Sequence, residues 1–203
     1  MLPSSPRILT CPFCNTEKRV VSLISGNSFG STLWSDNKYT TPMMLAPSYV
    51  QRCPHCGRYY TLTNQGNRYD IDGFSLEEGN LNFAETKEAF EQISKSGFLN
   101  SNEETQIRHM WLHAFNDYYH RDNQDIDIDA DDKEFFNENA LWLIDNGSLD
   151  EVLKAELYRE IGMFDLAIMV LDNYTPAEDW LADIADQIRT HAKNKDSKVF
   201  KIR

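Results

Sequence analysis

No stretch of the chain approaches the roughly twenty consecutive apolar residues that a membrane-spanning helix needs. The opening Met1-Leu2-Pro3-Ser4-Ser5-Pro6-Arg7 also lacks the apolar core of a signal peptide. A cytoplasmic protein with no membrane partner is therefore expected. Positive charge is scarce too: 20 Lys and Arg stand against 32 Asp and Glu, a net charge of −12 at pH 7. Broad binding to nucleic acid or anionic lipid is driven by cations that displace counterions from phosphates, so this total argues against both. There is no phosphate-cradling glycine loop, no G-x-S-x-G elbow, and no carboxylate pair that stands out from the surface acids. A non-enzymatic protein is expected on that ground. Cysteine is confined to four residues, all in two short stretches, Cys11-Pro12-Phe13-Cys14 and Cys53-Pro54-His55-Cys56.

Two C-x-x-C pairs with 38 residues between them supply the four soft ligands that tetrahedral Zn²⁺ takes at about 2.3 Å. Four thiolates leave no open coordination position, so the expected role of zinc at Cys11, Cys14, Cys53 and Cys56 is structural. Thioredoxin-like redox chemistry is the competing reading. It needs a C-x-x-C at a helix N-terminus within a βαβ unit, whereas both pairs here follow strand patterns. His55, inside the second pair, is expected to point outward. Thiols paired in this way suit a reducing compartment, where disulfides do not persist.

Charge divides the chain. Residues 1–74 carry seven Lys and Arg against four Asp and Glu, and residues 75–203 carry 13 against 28. The expected domains are therefore 1–74 and 75–203. In the first, Ile8-Leu9-Thr10 leads into one cysteine pair and Val20–Ile24 leaves it, while Tyr49–Arg52 and Arg58–Leu62 flank the other. Each knuckle thus sits at the tip of two strands. Asn15 and Gly57 follow the second cysteine of each pair and are residue types that tolerate a left-handed backbone. A glycine-rich turn over Ser25–Gly30 followed by Ser31–Trp34 reads as a hairpin inserted between the knuckles. Lys18, Arg19, Arg52 and Arg58 are placed to offset the negative charge of a zinc–thiolate cluster.

The two C-P-x-C knuckles resemble those of the zinc ribbon, or rubredoxin-like, fold. Together with Ser25-Gly26-Asn27, Gly30, Trp34-Ser35-Asp36 and Pro42-Met43 they resemble a set of uncharacterised bacterial zinc-ribbon proteins. The resemblance covers about the first third of the chain. It implies a structural zinc site at the four cysteines and no catalytic residues.

From Ser75 the apolar period becomes helical. Ser75-x-x-Glu78, Ser101-x-x-Glu104, Ser148-x-x-Glu151 and Thr175-x-x-Glu178 match the capping box, in which a hydroxyl and a carboxylate satisfy orphaned backbone donors. Gly97 and Gly147 fall at expected helix ends, and Pro176 at a first helical position. Helices are predicted near 76–96, 101–120, 132–145, 149–161, 164–173 and 176–193. Ile107, Met110, Trp111, Ala114, Phe115 and Tyr118 form one stripe that reads as buried core, with Phe83, Phe90 and Ile93 as packing partners.

Tyr158-x-x-x-Gly162-x-Phe164-x-x-Ala167 followed by Leu171, with Ala155 one turn earlier, resembles the centre of a tetratricopeptide repeat. This covers about 20 residues and implies a helical hairpin closed over small residues. The fold class expected overall is α+β: a small β zinc ribbon, then an all-α, tetratricopeptide-like domain. His109 and His113 stand at i, i+4, a metal-ligand spacing, but Met110 replaces the glutamate of H-E-x-x-H, and a histidine pair flanking the core stripe is the expectation. Asp125–Asp132 starts like a calcium loop, yet Ala130 replaces the turn glycine and Phe136 the closing glutamate, so it reads as a solvated acidic loop before a helix.

These readings converge on a zinc-binding interaction or adaptor protein whose helices receive a protein or peptide. The alternative is nucleic-acid binding by the ribbon, with Lys18, Arg19, Arg52, Arg58 and Arg68 as cations and Tyr59, Tyr60 and Tyr69 as stacking platforms. An enzymatic pocket would have to draw on Trp34, Trp111, His109 and His113, for which the sequence offers no constellation.

Overall fold

Short β-branched and aromatic runs broken by turn residues form nine strands among the described residues, and six helices follow them, an α+β arrangement with a helical C-terminal region. The structure is a computed structural model that describes residues 2–3, 7–20, 23–25, 28–42, 50–61, 68–69, 81–95, 100–121 and 126–203. The strands are β1 (Leu2–Pro3), β2 (Arg7–Thr10), β3 (Glu17–Val20), β4 (Leu23–Ser25), β5 (Thr32–Leu33), β6 (Tyr39–Thr40), β7 (Val50–Arg52), β8 (Tyr59–Thr61) and β9 (Arg68–Tyr69). The helices are α1 (Phe83–Lys95), α2 (Ser101–Tyr119), α3 (Ala130–Asn146), α4 (Glu151–Glu160), α5 (Phe164–Asp172) and α6 (Asp179–Lys193). The backbone divides into two compact units, Met1–Ser31 with Thr41–Trp111, and Thr32–Thr40 with Leu112–Arg203.

In the first unit β2 and β3 pair antiparallel from Arg7↔Val20 to Thr10↔Glu17, and β9 adds to the free edge of β2. β7 and β8 pair from Val50↔Thr61 to Arg52↔Tyr59. Both cysteine pairs therefore lie at hairpin tips, as their flanking strand patterns require. Tyr59 donates to Glu88 Oε2 at 3.1 Å, tying β8 to α1. Ala89, Phe90 and Ile93 of α1 and Ile107 and Trp111 of α2 are all buried, and Phe83 lies against Trp111 with ring centroids 5.9 Å apart.

The inserted hairpin differs from the expected one. Strand β4 pairs with β1, not with the Ser31–Trp34 segment. Strand β5 instead turns back through Trp34–Lys38 to pair with β6. Asn37 supplies the reversal, with φ of 61° and its N–H bonded to Trp34 O at 3.0 Å. The polar run Ser35–Lys38 is thus the turn of the β5–β6 hairpin.

In the second unit this hairpin gains a further partner from the C-terminal tail. Ser35 N–H donates to Phe200 O at 2.9 Å, Phe200 N–H to Ser35 Oγ at 3.1 Å, and Ile202 N–H to Leu33 O at 2.9 Å. Helices α4, α5 and α6 share a core of Val152, Ala155, Ala167, Leu171, Ile188 and Ala192, with Tyr158, Phe164 and Phe200 packed on it. Small residues at 155 and 167 let α4 and α5 approach, and the three-residue link between them turns at Gly162 with φ of 80°. On α2, Tyr118 is exposed, and Tyr119 takes the inner position predicted for it, donating to Asp132 Oδ2 at 2.8 Å. Phe115 stacks on Phe136 of α3 at 4.1 Å between ring centroids.

Candidate metal centre

The two knuckles are built by the same hydrogen bonds. Cys11 N–H donates to Thr16 O at 2.9 Å and Asn15 N–H to Cys11 O at 2.9 Å; Cys53 N–H donates to Arg58 O at 2.8 Å and Gly57 N–H to Cys53 O at 3.0 Å. Asn15 and Gly57 occupy equivalent places with φ of 58° and 73°, the left-handed conformation expected of them.

These turns bring all four sulfurs together. Cys11 Sγ lies 3.6 Å from Cys56 Sγ, Cys14 Sγ lies 3.6 Å from Cys53 Sγ, and all four fall within 4.8 Å of one another. A disulfide requires about 2.05 Å, so the cysteines are free thiols. A tetrahedron of 2.3 Å metal–sulfur bonds has edges of about 3.8 Å, so the donor set and its spacing fit a zinc-type ion. Among the described residues no other group of three or more His, Cys, Asp and Glu gathers closely enough to hold a metal.

Different surroundings shift the two thiols of the first knuckle in opposite directions. Burial pushes the Cys11 thiol up to about 12. The Thr16 hydroxyl and its backbone amide draw Cys14 down to about 6. Cys11, Cys53 and Leu9 pack with Tyr60, whose hydroxyl is buried with no hydrogen-bond partner among the described residues. Burial, and then the neighbouring sulfurs, push that hydroxyl up to about 12. Arg52 donates to Gly57 O at 3.4 Å, and the Arg58 guanidinium lies 4.9 Å from the Phe13 ring centre.

Other residues singled out in the sequence stand elsewhere. Tyr59 and Tyr60 are 1% and 4% exposed, which removes both as stacking platforms. His113 Nε2 is 3.1 Å from Asp36 O, and neither His113 nor His109 belongs to a metal-capable group. Trp34 and Trp111 are buried core residues of different units. In the acidic loop Asp129 caps α3, accepting from the N–H groups of Asp131 and Asp132, while Asp132 is buried against Tyr119. Asp125 lies outside the described residues.

Sequence reading missed a buried polar cluster in the second unit. Asn116 Nδ2 donates to Asp36 Oδ2 at 3.0 Å and to Glu160 Oε2 at 2.9 Å, and Arg121 pairs with Asp36. His120 Nδ1 lies 3.2 Å from Asn116 Oδ1. Arg159 forks onto Glu156 with both side chains fully buried. Burial opposes charge on Asp36, yet His113 and Arg121 hold its carboxyl below the ordinary range. Burial pushes His113 down, against the opposing pull of Asp36, and pushes His120 down to about 4. Charged residues that read as solvated surface at helical spacing gave no signal of this convergence.

The same unit holds an open cleft of about 100 Å³ lined by Trp34 and Tyr39 of the hairpin, Val152 and Leu153 of α4, and Trp180 and Ile184 of α6. Its walls are aromatic and aliphatic, and Asp150 stands among them. No helix among the described residues is long and apolar enough to cross a membrane. Comparison of the chain with known protein families, with curated proteins and with solved structures gave no match. The chain is thus defined by its own geometry: paired hairpins carrying a four-cysteine group able to hold a metal ion, followed by a helical region.

Proposed function

We propose that Cys11, Cys14, Cys53 and Cys56 hold one structural Zn²⁺ in a zinc ribbon, and that the chain works in the cytoplasm as a non-enzymatic protein-interaction module. The observation that carries the first part is the sulfur spacing of 3.6 Å across both knuckles, close to the edge of a zinc–thiolate tetrahedron. Zinc would supply cross-linking of the two hairpins. Four thiolates would fill its coordination and leave no position for water or substrate.

The interaction reading is supported by the cleft, whose aromatic rim of Tyr39 and Trp180 is 63% and 54% exposed. An apolar cleft with few polar groups suits an inserted side chain of a peptide better than acid–base chemistry. The α4–α5 hairpin, with its small residues at 155 and 167 and its turn at Gly162, fits a single tetratricopeptide-like hairpin. Nucleic acid is the weaker alternative, since Tyr59 and Tyr60 are buried and the total charge is −12.

Elemental analysis of protein purified without chelators should give one zinc per chain, and Cys53→Ser should release it. Metal-free wild-type protein would end the zinc reading. For the interaction reading, a partner captured from the native host by wild-type protein should be lost when Tyr39 and Trp180 are both replaced by Ala. Capture that survives that change would reject the cleft as the receiving surface.

A further inference from the structure

Between Arg159 and Arg189 the chain has no Lys or Arg, while Asp165, Asp172, Glu178, Asp179, Asp183 and Asp186 are all exposed. Arg159 is itself fully buried, and Arg189 is divided between Asp172 and Asp186. The same stretch holds Met163, Leu166, Met169 and Trp180, which are 41%, 38%, 54% and 54% exposed. Arg189 offsets Asp172 and Asp186, so within this stretch Asp165, Glu178, Asp179 and Asp183 are the acids that accompany the exposed apolar side chains without an ion pair among the described residues.

Helix α5 shows how they are arranged. Phe164, Ala167, Ile168 and Leu171, at i, i+3, i+4 and i+7, turn inward to the core shared with α4 and α6. At about 100° per residue, Met169 then falls in the middle of the outer face, with Leu166 on one side and Asp165 and Asp172 on the other. Met163 extends the apolar side beyond the first turn. Exposed apolar side chains in a contiguous row mark contact surfaces, and unbranched methionines adapt to differing partners.

We propose that this outer face of α5 docks a basic amphipathic helix of a partner protein, whose apolar stripe covers Leu166, Met169 and Met163 and whose Lys or Arg residues face the acids. Charge complementarity selects this occupant. A second copy would bring its own acids against these, and nucleic acid or an anionic membrane would be repelled. Met163, Leu166 and Met169 do not line the cleft, whose rim holds Trp180, so the two surfaces can be tested apart.

The test uses full-length, zinc-loaded protein and a fluorescent Lys/Leu amphipathic helix of about 18 residues, or five turns, with a Glu/Leu twin as control. Anisotropy should show saturable binding of the Lys/Leu peptide only, weakened at least tenfold by combined Leu166→Ser and Met169→Ser and also by Asp165→Lys. Tyr39→Ala, in the cleft, should leave it unchanged. Far-ultraviolet circular dichroism of the variants should match wild type, since the replaced side chains are exposed. Failure of the Lys/Leu peptide to bind overturns the proposal, as does equal binding of both peptides. Affinity that ignores the α5 substitutions reports attraction to net acidity alone and also overturns it. A dimer of the free protein that the double Ser variant dissolves would assign the face to a second copy instead.

Discussion

At Glu160 a buried carboxyl accepts one hydrogen bond from Asn116 through Oε2, while Oε1 has no partner among the described residues. Burial, and then the charges of Glu156 and Asp36, push its pKa well above the ordinary glutamate range. The folded state therefore keeps a proton that the unfolded chain has released. Its contribution to stability is fully present below the unfolded pKa, and it is lost as pH rises through the folded one. Glu160→Gln removes that titration, so the variant should gain stability relative to wild type between about pH 5 and pH 8. Urea midpoints at both pH values measure this, and a difference that stays constant with pH would contradict it. Gly147 makes a different point at the same scale. Its φ is −79°, so no left-handed turn requires glycine, but a Cβ there would lie 2.5 Å from Leu143 O. Gly147→Ala should lower stability by about 1–3 kcal/mol. At Gly162, with φ of 80° and nothing within 4 Å of an added Cβ, the conformational penalty alone is about 1–2 kcal/mol. Denaturant unfolding that ranked Gly162→Ala as the worse change would show the carbonyl contact to be relaxed easily.

Helix starts show how far the sequence could be read. For α2 the residues Asn100-Ser101-Asn102-Glu103-Glu104 contain two overlapping capping boxes, and the chain uses Asn100 with Glu103, in bonds of 3.0 Å each way. The predicted Ser101 register is one residue late. Asparagine is at least as good a cap as serine, and burial of Glu103 to 3% decides the register through tertiary packing, which spacing alone does not reveal. Asn82 and Glu85 form the same box ahead of α1, a signal that was legible and missed, while Ser75–Glu78 and Gly97 lie outside the described residues. Ser148 cannot cap α4, because its φ of 50° departs from the extended conformation a cap needs; Asp150 does so at 2.8 Å from Leu153 N. At α6 the helix begins at Asp179, and Thr175–Pro176 stay outside it. The metal centre was legible because two local spacings define it. The polar cluster was not, because Asp36 and Glu160 meet at Asn116 across 80 and 44 residues. The C-terminal segment reads in sequence as a polar run, Lys193–Lys198, ending a helix before a short tail at Val199-Phe200, with no local pattern to name what Phe200 packs on. Phe200 stacks on His191 at 3.8 Å and lies under the Arg159 guanidinium. Phe200→Ala should cost about 3 kcal/mol or somewhat less, given its partial burial. Thermal or urea unfolding with unchanged stability would mean that the tail is held by its backbone bonds alone.

At the scale of the whole molecule, the metal and the helices should separate in their responses. With zinc bound at the four cysteines as proposed, the paired hairpins would draw folding free energy from it, on the order of 10 kcal/mol for a structural site, whereas α4, α5 and α6 own a continuous apolar core. Chelation should abolish hydrogen-exchange protection in β2, β3, β7 and β8 and leave α4–α6 protected, with little change in helicity. Helix α1 should respond more than α6, because Tyr59 of β8 reaches Glu88 of α1. Uniform loss of protection across all helices would count against two units with separate sources of stability.

Residues 33–35 and 200–202 complete one another's backbone hydrogen bonds, and Ser35 meets Phe200 across 165 positions. At a synthesis rate of about 5–20 residues per second, the hairpin leaves the ribosome on the order of ten seconds before its partner strand exists. During that interval the Leu33 carbonyl and the Ser35 amide can only be hydrated or borrowed by another strand. Vectorial synthesis therefore gives this chain a nascent sheet edge at residues 33–35 that is sealed only once residues 200–202 have been made.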